Sequence, residues 1–277
     1  MAKFKIGLQL YSVREDMQKD FEGTLKKVKE MGYDVVEFAG YYGHDAEEIK
    51  ALLKKYDLEC VSVHQKYEAF LEDEEAMVEF QRKLGIKYSI IPWMAREKQA
   101  DTEAFPKTIE EIKAVAKALS KIGVKMGYHN HEFEFETYNG EFLLDLFHKE
   151  FSDDEMFAQV DTCWCKYAGY DPAEYIKRYK GNMPVLHLKD FTADKTVKAA
   201  MYALIDESGK ETKKPTRDEN GFKFKPLGEG KQDFPSIIKS AEEVGVEYLI
   251  VEQDGHPDYE PLESVRRSRE YLRTLGL

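Results

Sequence analysis

Three cysteines in 277 residues, Cys60, Cys163 and Cys165, are too few and too oddly numbered for a disulfide framework. A Cys-X-Cys pair without further thiols nearby is also weak as a zinc site, so the three read as reduced, structural thiols. No apolar run approaches the ~18 residues of a membrane span, and MAKFKIGLQLYSV has no apolar core with a small-residue cleavage site. The expectation is a soluble, cytoplasmic protein with no membrane partner. Positive charge is in deficit, with 41 Lys and Arg against 53 Asp and Glu for a net −12, which disfavours a phosphate backbone as ligand and hence nucleic acid as partner. Two glycine motifs are missing as well. No GxGxxG follows the first strand, and no P-loop cradle occurs.

What is present is ample apolar material, 42% hydrophobic and 13% aromatic, enough for a large core. It is also punctuated. Met31-Gly32-Tyr33-Asp34 leads into VVEF, Leu84-Gly85-Ile86-Lys87 into YSIIPW, Ile122-Gly123-Val124-Lys125 into MGYHNH, and Val244-Gly245-Val246-Glu247 into YLIVEQ. Each time a charged amphipathic stretch stops at Gly, one apolar residue follows, and a short β-rich run begins: a helix with a left-handed Gly cap, a short loop, a strand. With only 18 glycines in the chain, four copies are not accidental. Strands are expected at 5–11, 35–39, 60–64, 88–93, 125–131, 157–161, 185–188 and 248–252, with helical periodicity between them, as in TIEEIKAVAKALSKIG and FPSIIKSAEEVG. Eight strands alternating with helices predict a parallel sheet, and in this length a closed (β/α)8 TIM barrel of the α/β class, one domain over residues 1–277. Residues 192–225, charged and without long periodicity, read as an insertion after the seventh strand, near the barrel mouth.

Barrel strands should be apolar along most of their length, yet polar residues gather at their C-terminal ends: Gln9, Glu37, His64, Trp93, His129 and His131, Asp161, His187 and Lys189, Glu252 and Asp254. Five of the seven histidines, His64, His129, His131, His187 and His256, fall at or just beyond strand ends, the face on which barrel active sites are built. Singly, each has an ordinary structural explanation; Asp161-Thr162, for instance, resembles a helix-entry pair. Gathered at one mouth, imidazoles and carboxylates need a shared cation or substrate. Asp, Glu and His without a thiolate cluster suit Mn, Mg, Co or Zn. Strand alternation puts His129 and His131 on one face and Glu134 on the other, so Glu134 belongs to the loop that follows.

GLQLYSVRED, YHNHEFEF, QVDTCW, LHLKDF, PLGEGKQDFPSII and IVEQD, spread over the whole chain, resemble the xylose isomerase-like TIM barrel superfamily, the sugar phosphate isomerase/epimerase group. The resemblance implies a divalent metal ion at the mouth, with Asp161, His187 and Glu252 as its ligands from strands six to eight. Strand five has no carboxylate in register, and its Tyr-His-X-His looks more like inosose-dehydratase-type members, which makes His129 the fourth ligand. The expected enzyme acts on a small sugar, more readily unphosphorylated, by proton abstraction beside a carbonyl. Glu252 or a strand-five imidazole would be the base, with His131 and Lys189 as partner acids. Gln9, Glu37, His64, Trp93, Glu134 and Trp164 would contact substrate, the two indoles as flat walls. Isomerisation or epimerisation is the leading outcome, dehydration of an inosose or 3-keto-sugar the alternative, and a non-catalytic sugar-binding barrel the third. Homo-oligomerisation is compatible with all three.

Overall fold

The four helix–Gly–strand junctions fold as their sequences imply. All four glycines have positive φ; at Gly245 (φ 94°) this left-handed turn caps the helix Phe234–Val244, with the Gly245 N–H donating to the Ala241 carbonyl. The structure, a computed structural model, describes residues 4–197 and 216–277. Eight parallel strands, β1 (Lys5–Gln9), β2 (Val35–Phe38), β3 (Glu59–His64), β4 (Tyr88–Ile91), β5 (Lys125–His129), β6 (Met156–Gln159), β7 (Val185–Leu188) and β8 (Tyr248–Val251), pair in the order β6-β5-β4-β3-β2-β1-β8-β7. The ring closes between β6 and β7 through a bridge of Asp161 with His187, where the His187 N–H donates to the Val160 carbonyl at 3.0 Å. This is a (β/α)8 TIM barrel, as the alternation of elements requires.

Periodicity decides what goes where. Val35, Val61, Ile90, Phe157, Val185, Tyr248 and Ile250 fill the barrel interior. Outside the strands, helices bury stripes at helical spacing, such as Ile109, Ile112, Val115, Ala116 and Leu119 of Phe105–Ser120, against the opposite strand faces. Among the described residues no helix is long and apolar enough to cross a membrane. β5 passes close to the Phe157 ring at Gly127, where an added Cβ would come within 2.5 Å of the ring carbons.

Several strands stop earlier than the sequence suggests. β5 ends at His129 rather than His131, and β6 at Gln159 rather than Asp161. Cys163 and Cys165 sit buried as free thiols in the helix Thr162–Ala168. Of the insertion at 192–225, residues 198–215 lie outside the described residues; its described flanks include Lys223–Lys225, paired antiparallel with Asp190–Thr192. Phe222 packs there on Trp164, Tyr167 and Phe191.

Because the Phe157 ring occupies the space beside Gly127, Gly127→Ala should destabilise the barrel by about 1–3 kcal/mol of overpacking. Urea unfolding of Gly127→Ala and of the double variant Gly127→Ala/Phe157→Leu checks this: the second change should recover part of the loss, and strictly additive losses would refute the steric explanation.

Candidate metal centre and active site

The polar strand ends form one layer above the apolar interior, and Glu37 stands at its middle. This buried carboxylate accepts from Gln9 Nε2 (2.8 Å), Gln159 Nε2 (2.8 Å), His187 Nε2 (2.7 Å) and the Ser62 hydroxyl, and lies 2.9 Å from His64 Nε2. Burial alone would raise its pKa, but attraction to His64 and His187 outweighs that and holds the carboxyl well below the usual range. Glu37 and Gln9, expected at the substrate, are fully buried beneath the cavity and position other side chains.

Around this base, His129, Asp161, His187 and Glu252 each offer a ligand atom, all within 4.8 Å of one another. Their neighbours orient them. His129 Nδ1 lies 3.0 Å from Gln159 Oε1, an assignment that makes Nδ1 the donor and leaves Nε2 as a lone pair. That Nε2 faces Asp161 Oδ2 at 3.6 Å, and burial, reinforced by His187, keeps the imidazole neutral. Asp161 divides its carboxylate: Oδ1 caps the helix Thr162–Ala168, accepting from the Cys163 (2.8 Å) and Trp164 (3.4 Å) amides, while buried Oδ2 has no aligned hydrogen bond. His187 donates through Nε2 to Glu37, leaving Nδ1 beside Glu252 Oε2 at 3.0 Å. Against the cost of burial, Glu37 and Glu252 push the His187 pKa up to about 10. An imidazole lone pair and a carboxylate oxygen with no aligned donor, converging with Nδ1 of His187 and Glu252, fit a single divalent cation, with Glu37 and Gln159 orienting the two imidazoles from behind.

Lys189, buried above this group, lies 2.7 Å from Glu252 Oε2, 2.9 Å from Asp161 Oδ2 and 3.1 Å from Asp254 Oδ2. The Asp161 contact is ionic rather than directional, since the ammonium is near without being aligned as a donor. Burial opposes its charge, but the three carboxylates hold its pKa well above the usual value. That environment suits stabilising negative charge, not giving up a proton as the sequence reading expected.

A cavity of about 560 Å³ opens over these groups, lined among others by Tyr11, His64, Trp93, His129, His131, Lys189, Arg217, Glu252 and Asp254. Trp93, 44% exposed, offers a flat face there. Besides Gln9 and Glu37, two more expected substrate contacts do not line it. Trp164 is fully buried as a support, stacked with His131 and Phe222 and carrying Arg217 4.2 Å above its ring. Glu134 folds back in the turn Phe133–Phe135, where it accepts from the Tyr128 hydroxyl (2.7 Å) and the His131 amide (2.8 Å). The early end of β5 permits that turn. His256, grouped with the site by sequence position, bonds instead to the Ser12 carbonyl. Arg217 and the orienting role of Gln159 were not anticipated. Gln159 carries a signal in hindsight, a polar residue in the inward register 157, 159, 161; Arg217 carries none.

The sequence profile of the xylose isomerase-like TIM barrel family matches residues 25–275. The chain belongs to that family. Among relatives of this xylose isomerase-like barrel is the inosose dehydratase of Clostridium perfringens strain 13, 25% identical over 283 aligned positions, covering 92% of this chain and 90% of the relative. A sugar phosphate isomerase/epimerase structure from Parabacteroides distasonis superposes with a TM-score of 0.77 at 21% identity, over 99% of this chain and 94% of that one. The IolI protein, whose structure holds a zinc atom, superposes at 0.70 with 14% identity and 98% coverage of both chains.

Burial pushes the Glu134 carboxyl up to about 8 in spite of its two hydrogen bonds. A raised carboxyl stabilises the fold while protonated: its contribution is complete below the ordinary value of 4.5 and is lost as pH climbs to about 8. Glu134→Gln should therefore gain on the wild type across that window, by up to ~1.4 kcal/mol per pH unit. Urea unfolding of both proteins through the window tests this; parallel stability curves would contradict a protonated Glu134.

Proposed function

We propose that this chain, a sugar-modifying enzyme of the family, removes the proton beside the carbonyl of a small keto-polyol, with a divalent cation held by His129, Asp161, His187 and Glu252. The convergence of those four side chains on one point at the cavity floor carries the reading. Two imidazoles with two carboxylates suit Zn or Mn better than Mg, and zinc in the structurally similar IolI protein supports a cation at this face. When bound, the cation supplies Lewis-acid polarisation of a carbonyl and its neighbouring hydroxyl.

The protein's own groups divide the remaining work. Lys189 and His187 keep Glu252 ionised against the cost of burial, which makes it the base for the carbon-bound proton. Lys189 stands beside Glu252 to stabilise the negative charge left on the substrate oxygen. His131 lines the cavity with an Nδ1 that has no hydrogen-bond partner among the described residues, and burial together with Lys189 lowers its pKa to about 3. It is therefore a neutral imidazole, suited to holding a hydroxyl. Trp93 covers an apolar sugar face.

Loss of a β-hydroxyl is favoured over isomerisation because the base is one-sided. Imidazoles stand where a second glutamate would serve a symmetrical epimerase, and the relatives named inosose dehydratase match nearly full length. In that reaction Glu252 takes the α-proton and returns it to the departing hydroxyl, which leaves as water. Isomerisation shares the first step, and the resemblance to sugar phosphate isomerase/epimerase structures keeps it as the second reading.

Incubating the Mn- or Zn-loaded protein with ketoses, inososes and 3-keto-glycosides in D2O should show deuterium exchange, with an enone or its tautomer as product. Glu252→Gln should lower exchange at least ~100-fold with the fold retained. A purified protein that takes up no divalent cation and shows no thermal shift with Mn or Zn would instead support the non-catalytic barrel.

A further inference from the structure

Arg217 enters the cavity from the described C-terminal part of the insertion, and nothing in the mechanism uses it. It is nonetheless fixed from several sides. Its Nε and Nη2 donate to the two carboxylate oxygens of Glu132, both at 2.7 Å, in a bidentate pair. The guanidinium lies 4.2 Å above the Trp164 ring, itself stacked with Phe222 and His131. The backbone around it is held too: Thr216 N–H donates to Glu219 Oε2 at 2.6 Å, Phe222 N–H to the Arg217 carbonyl at 3.0 Å, and Asn220 Nδ2 to the Tyr167 hydroxyl at 3.0 Å. Only Nη1 makes no hydrogen bond among the described residues. A long, flexible side chain held this firmly, with the Nη1 amino group spare at a cavity wall, is preorganised for a ligand.

Its electrostatics narrow the ligand. Glu132 already balances the guanidinium charge, so Nη1 presents a directional donor with little net positive charge. Lys66, another cation lining the cavity, is exposed and lies over Trp93, where solvent screens it. Lys189 is matched by three carboxylates. Among the described residues a phosphate dianion would find no uncompensated buried cation, whereas a neutral hydroxyl oxygen needs only the donor.

Resting on the function proposed above, we propose that Arg217 is the specificity-determining residue of this cavity, donating through Nη1 to a hydroxyl oxygen of an unphosphorylated keto-polyol, with Glu132 as the positioning residue that makes it selective for uncharged substrates.

The test uses the full-length, Mn-loaded protein with an inosose, D-fructose and D-fructose 6-phosphate as probes. Calorimetry gives affinities, and D2O exchange separates KM from kcat. Arg217→Met should weaken binding of the free polyol about 10- to 100-fold, the worth of one hydrogen bond from a charged donor, with the loss mainly in KM and with Mn affinity unchanged. Arg217→Lys should fall between the two. Glu132→Gln, by unmasking the guanidinium charge, should bring the phosphorylated probe closer to the free sugar in affinity, an effect that loosened packing alone would not produce. An Arg217→Met protein that binds the free polyol within twofold of wild type overturns the assignment, as does a wild type that prefers the phosphate ester. A wild type that neither binds nor exchanges any keto-polyol overturns the underlying function, and this inference with it.

Discussion

A single buried carboxylate ties the active face together. Glu37 on β2 receives side chains from β1, β3, β6 and β7, namely Gln9, Ser62, His64, Gln159 and His187. An unpaired carboxylate there would cost several kcal/mol. Fully bonded, it acts as a tie across the barrel, because its donors must come from strands far apart in the chain. The consequence for chemistry is orientation. Glu37 fixes the His187 ring with Nδ1 toward Glu252, and Gln159, held by the same carboxylate, fixes the His129 proton on Nδ1. The candidate ligand atoms are thereby oriented without an ion.

Barrel closure and site assembly are one constraint. β6 and β7 are the edge strands of the sheet, and the bridge that joins them pairs Asp161 with His187, two of the four candidate ligands. Asp161 also caps the helix leaving β6, so its backbone position follows from helix entry while its second oxygen is left for the cavity. Beside this seam, Asp190 accepts from the amides of Phe191, Gly228, Gly230 and Gln232, which latches the PLGEGK loop to the end of β7. The LHLKD segment thus supplies a ligand, a counter-cation and a latch within four residues.

The fold was legible because it depends on period, whereas Asp161, His187 and Glu252 were named from the family resemblance. The Gly-stopped helices announce the alternation of elements, and inward registers such as 157, 159, 161 are read from parity. Glu134 lies in the loop after β5, as its parity implies, but neither it nor Trp164 lines the cavity, since parity assigns a face, not a depth, and says nothing once a strand has ended. Because β5 stops at His129, Glu134 turns back to Tyr128 and the His131 amide. Trp164 lies in a helix rather than at a strand end, so it meets the cavity residues from behind. Arg217 was illegible because its place depends on Phe222 packing against Trp164 and Phe191, a long-range contact with no local signature.

The charges at the mouth give a reason for the cation that does not depend on resemblance. Glu37, Asp161, Glu252 and Asp254 are four carboxylates in contact with one another's partners, against one buried lysine. Four negative charges less the Lys189 ammonium leave three to balance, and a protonated His187 balances only one. The strain registers where the balance is worst: burial, with Glu252 adding to it, pushes Asp254 up to about 6, and the Asp161 carboxyl also lies above its ordinary value. Such an excess is stable only if protons or a cation fill it. A divalent ion held by His187 and the carboxylates would take the place of that proton and leave only the one negative charge on Glu37, which its own hydrogen bonds satisfy. Metal binding here would therefore be coupled to proton release, and the residues that would hold the ion are the same ones that keep Glu252 ionised beside Lys189.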